Sequence, residues 1–385
     1  MVKLTLLTIV LAVVSTCLAK LPTHKIRGVN LGSLFIIEPW MSSNTWKSMG
    51  CGDTKSEWDC VASLGQEKAD AAFQKHWNTF ITASDFEKMK AYGLNTVRIP
   101  IGHWFVEETI DPGENWPRGG MKYLDAVAAL AASHNISVIL DLHGAPGAQV
   151  PNNAFTGRTT EPAAFYSPHN YARAYTFLRN ITTRIHTLPA YKTTIMLELL
   201  NEPAPAHPSL ATTFYPTAYA VIRAAEASLG VPSHRALALQ MMDSTWGAGN
   251  PRQAMPHDAF GLAFDNHRYL TYSPTPAEKD AYLRASCGDS FASQGETPLV
   301  IGEWSLAIKQ EKEWSDEFSP LRKENQEWYR QWWGAQVQAY ERQKGWVFWS
   351  WKTELGGDWR WSYSAAVEAG IIPKDLGKAK DLAKC

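Results

Sequence analysis

The chain of 385 residues carries 37 Lys and Arg against 38 Asp and Glu, which leaves a formal net charge of −1. No basic or acidic block interrupts it, so its charge does not point to a nucleic acid or a membrane surface as a partner. Seventeen Trp and fourteen Tyr exceed the needs of one core. Because the flat face of an aromatic ring covers the apolar face of a sugar, they favour a carbohydrate cleft, although most must serve packing.

The first 19 residues are typical of a secretory signal. A lysine at position 3 precedes an apolar run over residues 4–14, which is too short to span a bilayer, and small residues follow up to Ala19. We therefore expect a signal peptide over residues 1–19 and a mature protein that is secreted, extracellular or in the cell wall; a membrane anchor is the alternative. Asn135 and Asn180 begin Asn-X-Ser/Thr sequons, which are glycosylation sites if exposed.

Four cysteines remain once Cys17 is assigned to the signal: Cys51, Cys60, Cys287 and Cys385. An even number in an exported chain predicts disulfides. Cys51 and Cys60 are close enough to close one loop, which leaves Cys287 to pair with Cys385. A zinc site is the competing interpretation, but paired Cys-X-X-Cys spacing is missing.

Short apolar strands alternate with longer amphipathic helices along residues 20–385, which we expect to form one domain. The predicted strands are 25–31, 96–100, 137–143, 195–203, 236–241, 262–267, 299–303 and 346–351. The predicted helices are 82–92, 121–134, 170–186, 215–229, 276–285 and 325–343. Eight strands, most of them followed by a helix, predict an α/β (β/α)₈ TIM barrel. A doubly wound sheet is the alternative, but no Gly-rich phosphate turn follows the first strand.

The longest connections follow strands rather than precede them. They cover residues 41–72, 145–166, 242–260, 269–298 and 307–324. Loops after the strands form the catalytic face of this barrel, so these elongated loops would wall a cleft.

Polar side chains are concentrated at the predicted strand ends. In chain order they are Glu38, Arg98, Asp141, His143, Asn201, Glu202, His267, Tyr269 and Glu303. Trp349 and Trp351 lie two residues apart on the last strand and are expected on one face. If the barrel is correct, all of these residues meet at one rim.

Two glutamates from different strands, Glu202 and Glu303, suit glycoside hydrolysis, in which one carboxylic acid protonates the leaving oxygen and one carboxylate faces the anomeric carbon. Two carboxyls about 5 Å apart disfavour double ionisation. Arg98 would hold one of them ionised, and Tyr269 could donate a hydrogen bond to it.

Each residue also has a structural interpretation. Arg98 could form a buried ion pair, His143 and His267 could be core histidines, Glu38 could cap a helix, and Trp349 could pack the barrel. Zinc chemistry would need paired histidines on the first strand, which has none, and no Gly-X-Ser-X-Gly elbow supports a serine hydrolase. No cofactor or metal is therefore expected.

The ordered strand-end segments resemble glycoside hydrolase family 5, a family of retaining (β/α)₈ enzymes, over nearly the whole mature chain. They are Arg98-Ile99-Pro100, Asp141-Leu142-His143-Gly144, Asn201-Glu202-Pro203, His267-Arg268-Tyr269 and Gly302-Glu303-Trp304. Residues 27–32 with 38–40, and residues 348–354, are similar to fungal glucanases, including exo-β-1,3-glucanases. Residues 48–60, 240–243 and 359–363 resemble instead the fungal endo-β-1,6-glucanases, so β-1,6-glucan is the favoured substrate.

The resemblance implies a role for each site residue. Glu202 would be the acid/base and Glu303 the nucleophile, with Arg98 and Tyr269 holding Glu303 ionised. Asn201 would bind the sugar 2-hydroxyl, His143 and His267 would shape the subsite and position Glu202, Glu38 would bind sugar hydroxyls, and Trp349 would form the floor.

Residues 150–153 depart from the exo-β-1,3 pattern, which favours an open cleft over a closed pocket. We therefore expect a monomeric retaining endo-β-1,6-glucanase acting on a β-glucan. An exo-β-1,3-glucanase and a non-catalytic sugar-binding barrel are the alternatives.

Overall fold

Eight parallel strands close into a barrel in sequence order. The computed structural model describes residues 21–205, 207–289, 297–383 and 385, so the expected signal peptide lies outside the described residues. The strands are β1 (Ile26–Asn30), β2 (Thr96–Gly102), β3 (Ser137–Gly144), β4 (Thr194–Glu198), β5 (Ala238–Met242), β6 (Leu262–Arg268), β7 (Leu299–Trp304) and β8 (Gly345–Phe348). The predicted (β/α)₈ fold is confirmed.

Helices surround the barrel and fill part of the connections. They are α1 (Ser43–Ser48), α2 (Glu57–Leu64), α3 (Gln66–Thr79), α4 (Ala83–Ala91), α5 (Met121–Ser133), α6 (Pro168–Thr187), α7 (Tyr215–Ser228), α8 (Lys279–Cys287), α9 (Lys323–Tyr340), α10 (Tyr363–Glu368) and α11 (Ala379–Leu382). The six predicted helices are present. The long loop expected over residues 41–72 is wrong, because α1, α2 and the first half of α3 occupy it. Two of these helices are only six and eight residues long, too short for a clear 3.6-residue pattern.

Two strands end earlier than expected. The strand expected over residues 195–203 ends at Glu198. Beyond this end, the backbone N–H of Asn201 donates a hydrogen bond to the carbonyl oxygen of Leu142. The last strand ends at Phe348, so side-chain alternation does not extend to Trp351. The expectation that Trp349 and Trp351 share a face is therefore wrong: the Trp349 ring stacks on His143, whereas Trp351 donates to Asp85 on α4.

The barrel interior is layered. One apolar residue from each of seven strands packs at the amino-terminal end: Ile26, Ile139, Met196, Ala238, Ala263, Val300 and Val347. Two residues further along three of these strands, the inward positions are acidic: Asp141, Glu198 and Asp265, all fully buried. A layer of acidic side chains therefore separates the apolar floor from the mouth of the barrel, since side chains two apart on a strand share a face.

Both expected disulfides are present. Cys51 is bonded to Cys60, and Cys287 to Cys385. The sequon residues Asn135 and Asn180 are exposed, as glycosylation would require. Within the described part of the chain, no helix has the length and apolarity needed to cross a membrane.

Candidate active site

Arg98 is the centre of the polar network at the barrel mouth. Its side chain is fully buried, and its guanidinium forms four hydrogen bonds and a further ion pair. Nε donates to Glu198 (2.7 Å), Nη1 to Asn30 (2.9 Å) and Glu303 (2.8 Å), and Nη2 to Asn201 (2.8 Å). Nη2 also forms an ion pair with Asp141 at 2.9 Å. A guanidinium with this many partners holds them in fixed positions, so β2 aligns five residues that lie on, or just after, four other strands.

Glu303 receives a hydrogen bond on each carboxylate oxygen. Arg98 Nη1 lies 2.8 Å from Oε1, and Tyr269 donates its hydroxyl to Oε2 at 2.8 Å. Burial raises the pKa of Glu303, and Glu202 adds to the rise, whereas the charges of His267 and Arg98 oppose it. Two donors to the carboxylate favour its ionised form. The expected contacts of Arg98 and Tyr269 with Glu303 are therefore present.

A glycine makes room for this arrangement. Ile301 pairs with Asn266 and Glu303 with His267, so Gly302 is an extra residue on β7. A Cβ at Gly302 would lie 2.2 Å from Oδ1 of Asp265, which no side chain could tolerate. Such bulges re-aim side chains near active sites. Here the extra residue sets the register in which Glu303 faces the cleft.

Glu202 is bound by His267. Nδ1 of His267 lies 2.6 Å from Oε1 of Glu202 and 3.5 Å from Oε2 of Glu303. Although burial alone would lower it, the carboxylates of Glu303 and Asp265 raise the pKa of His267 well above its ordinary value. A protonated imidazole donates from Nδ1 to Oε1, so the other carboxyl oxygen of Glu202 remains to face a ligand.

The remaining expected residues line the same cleft. His143 Nδ1 lies 2.7 Å from Asp141 Oδ2, and its ring stacks on Trp349 with centroids 5.6 Å apart. Asn201 accepts from Arg98, and its buried Nδ2 has no partner among the described residues. Glu38 accepts from the indole of Trp40 at 2.9 Å, and burial raises its pKa to about 7. Each therefore keeps polar or aromatic surface towards the cleft.

The cleft encloses about 570 Å³ and has aromatic walls. The aromatic residues that line it are Trp40, Phe155, Trp246, Tyr269, Tyr272, Trp349 and Trp361. A site with convergent carboxylates and aromatic walls suits a sugar, whose hydroxyls hydrogen-bond while its apolar faces stack.

Sequence reasoning missed three contributors to the site. Glu198 and Asp265 belong to the buried layer of acidic side chains, and Trp246 donates to the carbonyl oxygen of Pro203 at 2.8 Å. A signal for Asp265 was present, because Asp265 and His267 repeat the spacing of Asp141 and His143. Trp246 lies in an irregular loop and carried no such signal.

Among the described residues, two carboxylate–histidine groups are compact enough to be considered as metal sites. Glu198, Asp265 and His267 form one, and Glu202, His267 and Glu303 form the other, each with ligand atoms within 4.8 Å of one another. His267 belongs to both, and in its protonated form it has no lone pair to offer. Arg98 already supplies a cation to Glu198 and Glu303. The donor set therefore does not suit a metal ion.

Comparison with known proteins finds similarity over most of the chain. The Cellulase (glycosyl hydrolase family 5) model matches residues 62–355. The chain is 46% identical over 368 residues to glucan endo-1,6-beta-glucosidase B of Emericella nidulans, covering 94% of this chain and 88% of that protein. It is 28% identical over 402 residues to glucan 1,3-beta-glucosidase of Blumeria graminis, covering 94% and 90%. Rutinosidase from Aspergillus niger has the same fold, with a TM-score of 0.70 at 20% identity over 91% of this chain and 98% of that one.

Proposed function

Because this chain belongs to glycosyl hydrolase family 5 and is a glycoside hydrolase, we propose that it is a retaining endo-β-1,6-glucanase. Glu202 is the acid/base, Glu303 is the nucleophile, and the substrate is a β-1,6-linked glucan such as pustulan. The observation that carries the assignment is the close approach of these two carboxyls, of which only Glu303 is paired with Arg98.

The separation of the carboxyls supports retention. One carboxyl oxygen of Glu202, one of Glu303 and one ring nitrogen of His267 all lie within 4.8 Å of one another. Retaining glycosidases hold their carboxyls about 5 Å apart, whereas inverting enzymes leave roughly 6.5 Å or more for a water molecule. A separation this short leaves no room for a water molecule between the two carboxyls, which suits direct attack by Glu303 on the sugar.

In the first step, the carboxylate of Glu303 attacks C1 of the bound glucosyl unit. The bond from C1 to the glycosidic oxygen breaks, and Glu202 transfers a proton to that oxygen, which leaves as the free 6-hydroxyl of the departing chain. Arg98 and Tyr269 hold Glu303 ionised before the attack. The free Nδ2 of Asn201 is placed to donate to a sugar hydroxyl.

In the second step, water replaces the departed chain. Glu202, now ionised, takes a proton from the water while the oxygen attacks C1 and displaces Glu303. Two inversions give net retention. Protonated His267 stays bonded to Oε1 of Glu202 and stabilises its ionised form between the steps.

The linkage preference rests on similarity. The chain is much closer in sequence to the endo-1,6 relative than to the 1,3-glucosidase, at 46% against 28% identity. Secretion is part of the same proposal. Two disulfides are typical of an oxidising compartment, and the amino-terminal residues have the composition of a signal peptide.

Product sizes test this proposal. The purified protein is incubated with pustulan and, separately, with laminarin, and products are sized at early times; the Glu303→Gln variant controls for contaminating enzymes. We expect oligomers of many lengths from pustulan and little release from laminarin. Release of glucose alone from laminarin, with pustulan untouched, would replace the proposal with an exo-β-1,3-glucanase.

A further inference from the structure

Trp314 is an exposed aromatic residue that the cleft does not account for. It lies between β7 and α9, its side chain is 54% exposed, and it does not line the cleft. Exposing an indole costs free energy, because its apolar surface remains in water. On a glycan-degrading enzyme, an exposed indole of this kind offers an apolar surface on which a sugar ring could stack.

The ring is held in place from one side. The guanidinium carbon of Arg360 lies 4.8 Å from the centroid of Trp314, and the indole N–H donates to Glu313 at 2.9 Å. Arg360 itself is fully buried and forms two 2.7 Å hydrogen bonds to Asp358. One face of Trp314 therefore rests on a fixed cation, while exposed surface remains for a ligand.

Arg360 connects this platform to the cleft. The next residue, Trp361, lines the cleft and lies 5.6 Å from the ring of Tyr269, the residue that donates to Glu303. Arg360 also donates from Nη1 to the carbonyl oxygen of Glu313 at 2.7 Å. The loop that carries Trp314 is thus bonded to the segment that forms the cleft wall.

A second connection joins the same loop to the loop after β6. Thr271 donates to the carbonyl oxygen of Ile308 at 2.7 Å. The neighbouring residue, Tyr272, lines the cleft and is 80% exposed. Trp314 therefore belongs to the rim of the catalytic face.

The distribution of exposed apolar residues supports this placement. Among the described residues, five large hydrophobic side chains are exposed: Trp40, Leu229, Tyr272, Trp314 and Leu321. Four of them lie in the loops that follow β1, β6 and β7, and only Leu229 lies at the end of a helix, α7. Exposed apolar surface grouped at one face marks a binding surface rather than chance.

We propose that Trp314 is a sugar-binding platform outside the cleft, which stacks on a glucosyl unit of the same β-glucan chain that is cleaved between Glu202 and Glu303. This inference rests on the proposed function. A pyranose ring offers an apolar face to the exposed indole, and Arg360 keeps the ring from rotating away. Because Trp314 does not line the cleft, the platform serves chains long enough to occupy the cleft and Trp314 together.

Chain-length dependence tests the platform. We compare Trp314→Ala with Leu229→Ala, a matched control that removes an exposed apolar side chain from α7, on pustulan and on gentiotriose. For Trp314→Ala we expect KM on pustulan to rise roughly five- to tenfold, the scale of one lost stacking contact, with kcat within about twofold. Gentiotriose kinetics stay unchanged, and Trp314→Tyr restores part of the loss. Equal effects on both substrates, or none on pustulan, would overturn the inference.

Binding without hydrolysis separates this inference from the proposed function. Glu303→Gln and the Glu303→Gln/Trp314→Ala double variant are run in native gels that contain pustulan or laminarin. Retardation that weakens when Trp314 is removed supports the platform, even if the wild type proves to cleave a different linkage. Equal retardation of the two proteins refutes the platform while leaving the activity assignment intact.

Discussion

Arg98 donates from Nε to Oε2 of Glu198 at 2.7 Å, and both side chains are fully buried. Burial raises the pKa of Glu198 well above its ordinary value, although the charge of Arg98 opposes the rise. Burial therefore favours the protonated form of Glu198, and Arg98 favours the ionised form. A neutral carboxyl still accepts from Arg98 and adds no negative charge beneath Glu303.

Glu198→Gln should therefore be nearly silent, because glutamine is neutral and keeps an acceptor oxygen. We expect kcat within about threefold of the wild type. Glu198→Ala leaves the buried Nε of Arg98 without a partner and should cost roughly 3 kcal/mol in free energy of unfolding. Urea unfolding and steady-state kinetics measure both. A Glu198→Gln variant as damaged as Glu198→Ala would mean that Glu198 is ionised.

Glu38 should make the stability depend on pH. Burial raises its pKa from 4.5 to about 7, so the native state binds a proton more tightly than the unfolded chain. This contribution is complete below about pH 4.5 and is lost as the pH rises through 7. The shift corresponds to roughly 3 kcal/mol.

Urea unfolding of the wild type and Glu38→Gln at pH 4.5 and 7.5 measures this term. The free energy of unfolding of the wild type, relative to that of Glu38→Gln, should be lower at pH 7.5 than at pH 4.5. Glu87→Gln, on the exposed side of α4, is the control. An equal change in the free energy of unfolding with pH for Glu38→Gln and the wild type would show that the pKa of Glu38 is not raised.

Trp246 should act through Glu202. Its indole donates to the carbonyl oxygen of Pro203, the residue after Glu202, and its ring packs against His267. Trp246→Phe keeps a ring but loses the hydrogen bond, worth about 1 kcal/mol. We expect kcat to fall roughly five- to tenfold on gentio-oligosaccharides, whose leaving group needs a proton from Glu202.

The leaving group distinguishes this positioning role from general damage. The dinitrophenolate of a dinitrophenyl glycoside leaves without protonation. Trp246→Phe should therefore cleave this substrate at close to the wild-type rate. Trp361→Phe, which alters a cleft residue whose ring packs against Trp40 and Tyr269, should affect both substrates alike. Equal losses on both substrates for Trp246→Phe would remove the link to Glu202.

The barrel and most of its rim could be predicted because they depend on local patterns. Each strand is a short apolar run, and a parallel barrel brings the strand ends together, so Arg98, Glu202 and Glu303 could be grouped before any contact was known. The polar type of a residue at a strand end was enough to suggest its chemistry.

What could not be predicted depends on closure of the barrel. Glu198 acquires its role from Arg98, which is 100 residues away in the chain, and Trp246 from a carbonyl 43 residues away. The early end of β8 separates Trp349 from Trp351, although their spacing suggested one face. No local pattern carries these contacts, because they form between residues that are distant in the chain and approach only in the folded barrel.

Azide rescue tests the central claim, that Glu303 is the nucleophile and Glu202 the acid/base. Glu303→Ala and Glu202→Ala are each incubated with a dinitrophenyl β-gentiobioside and sodium azide, and the glycosyl azide is identified by proton NMR. Glu303→Ala should yield the α-azide, because azide replaces the missing carboxylate on the face opposite the leaving group. Glu202→Ala should yield the β-azide, because azide attacks the intermediate held on Glu303. The reverse configurations, or full activity of either variant without azide, would contradict the assignment.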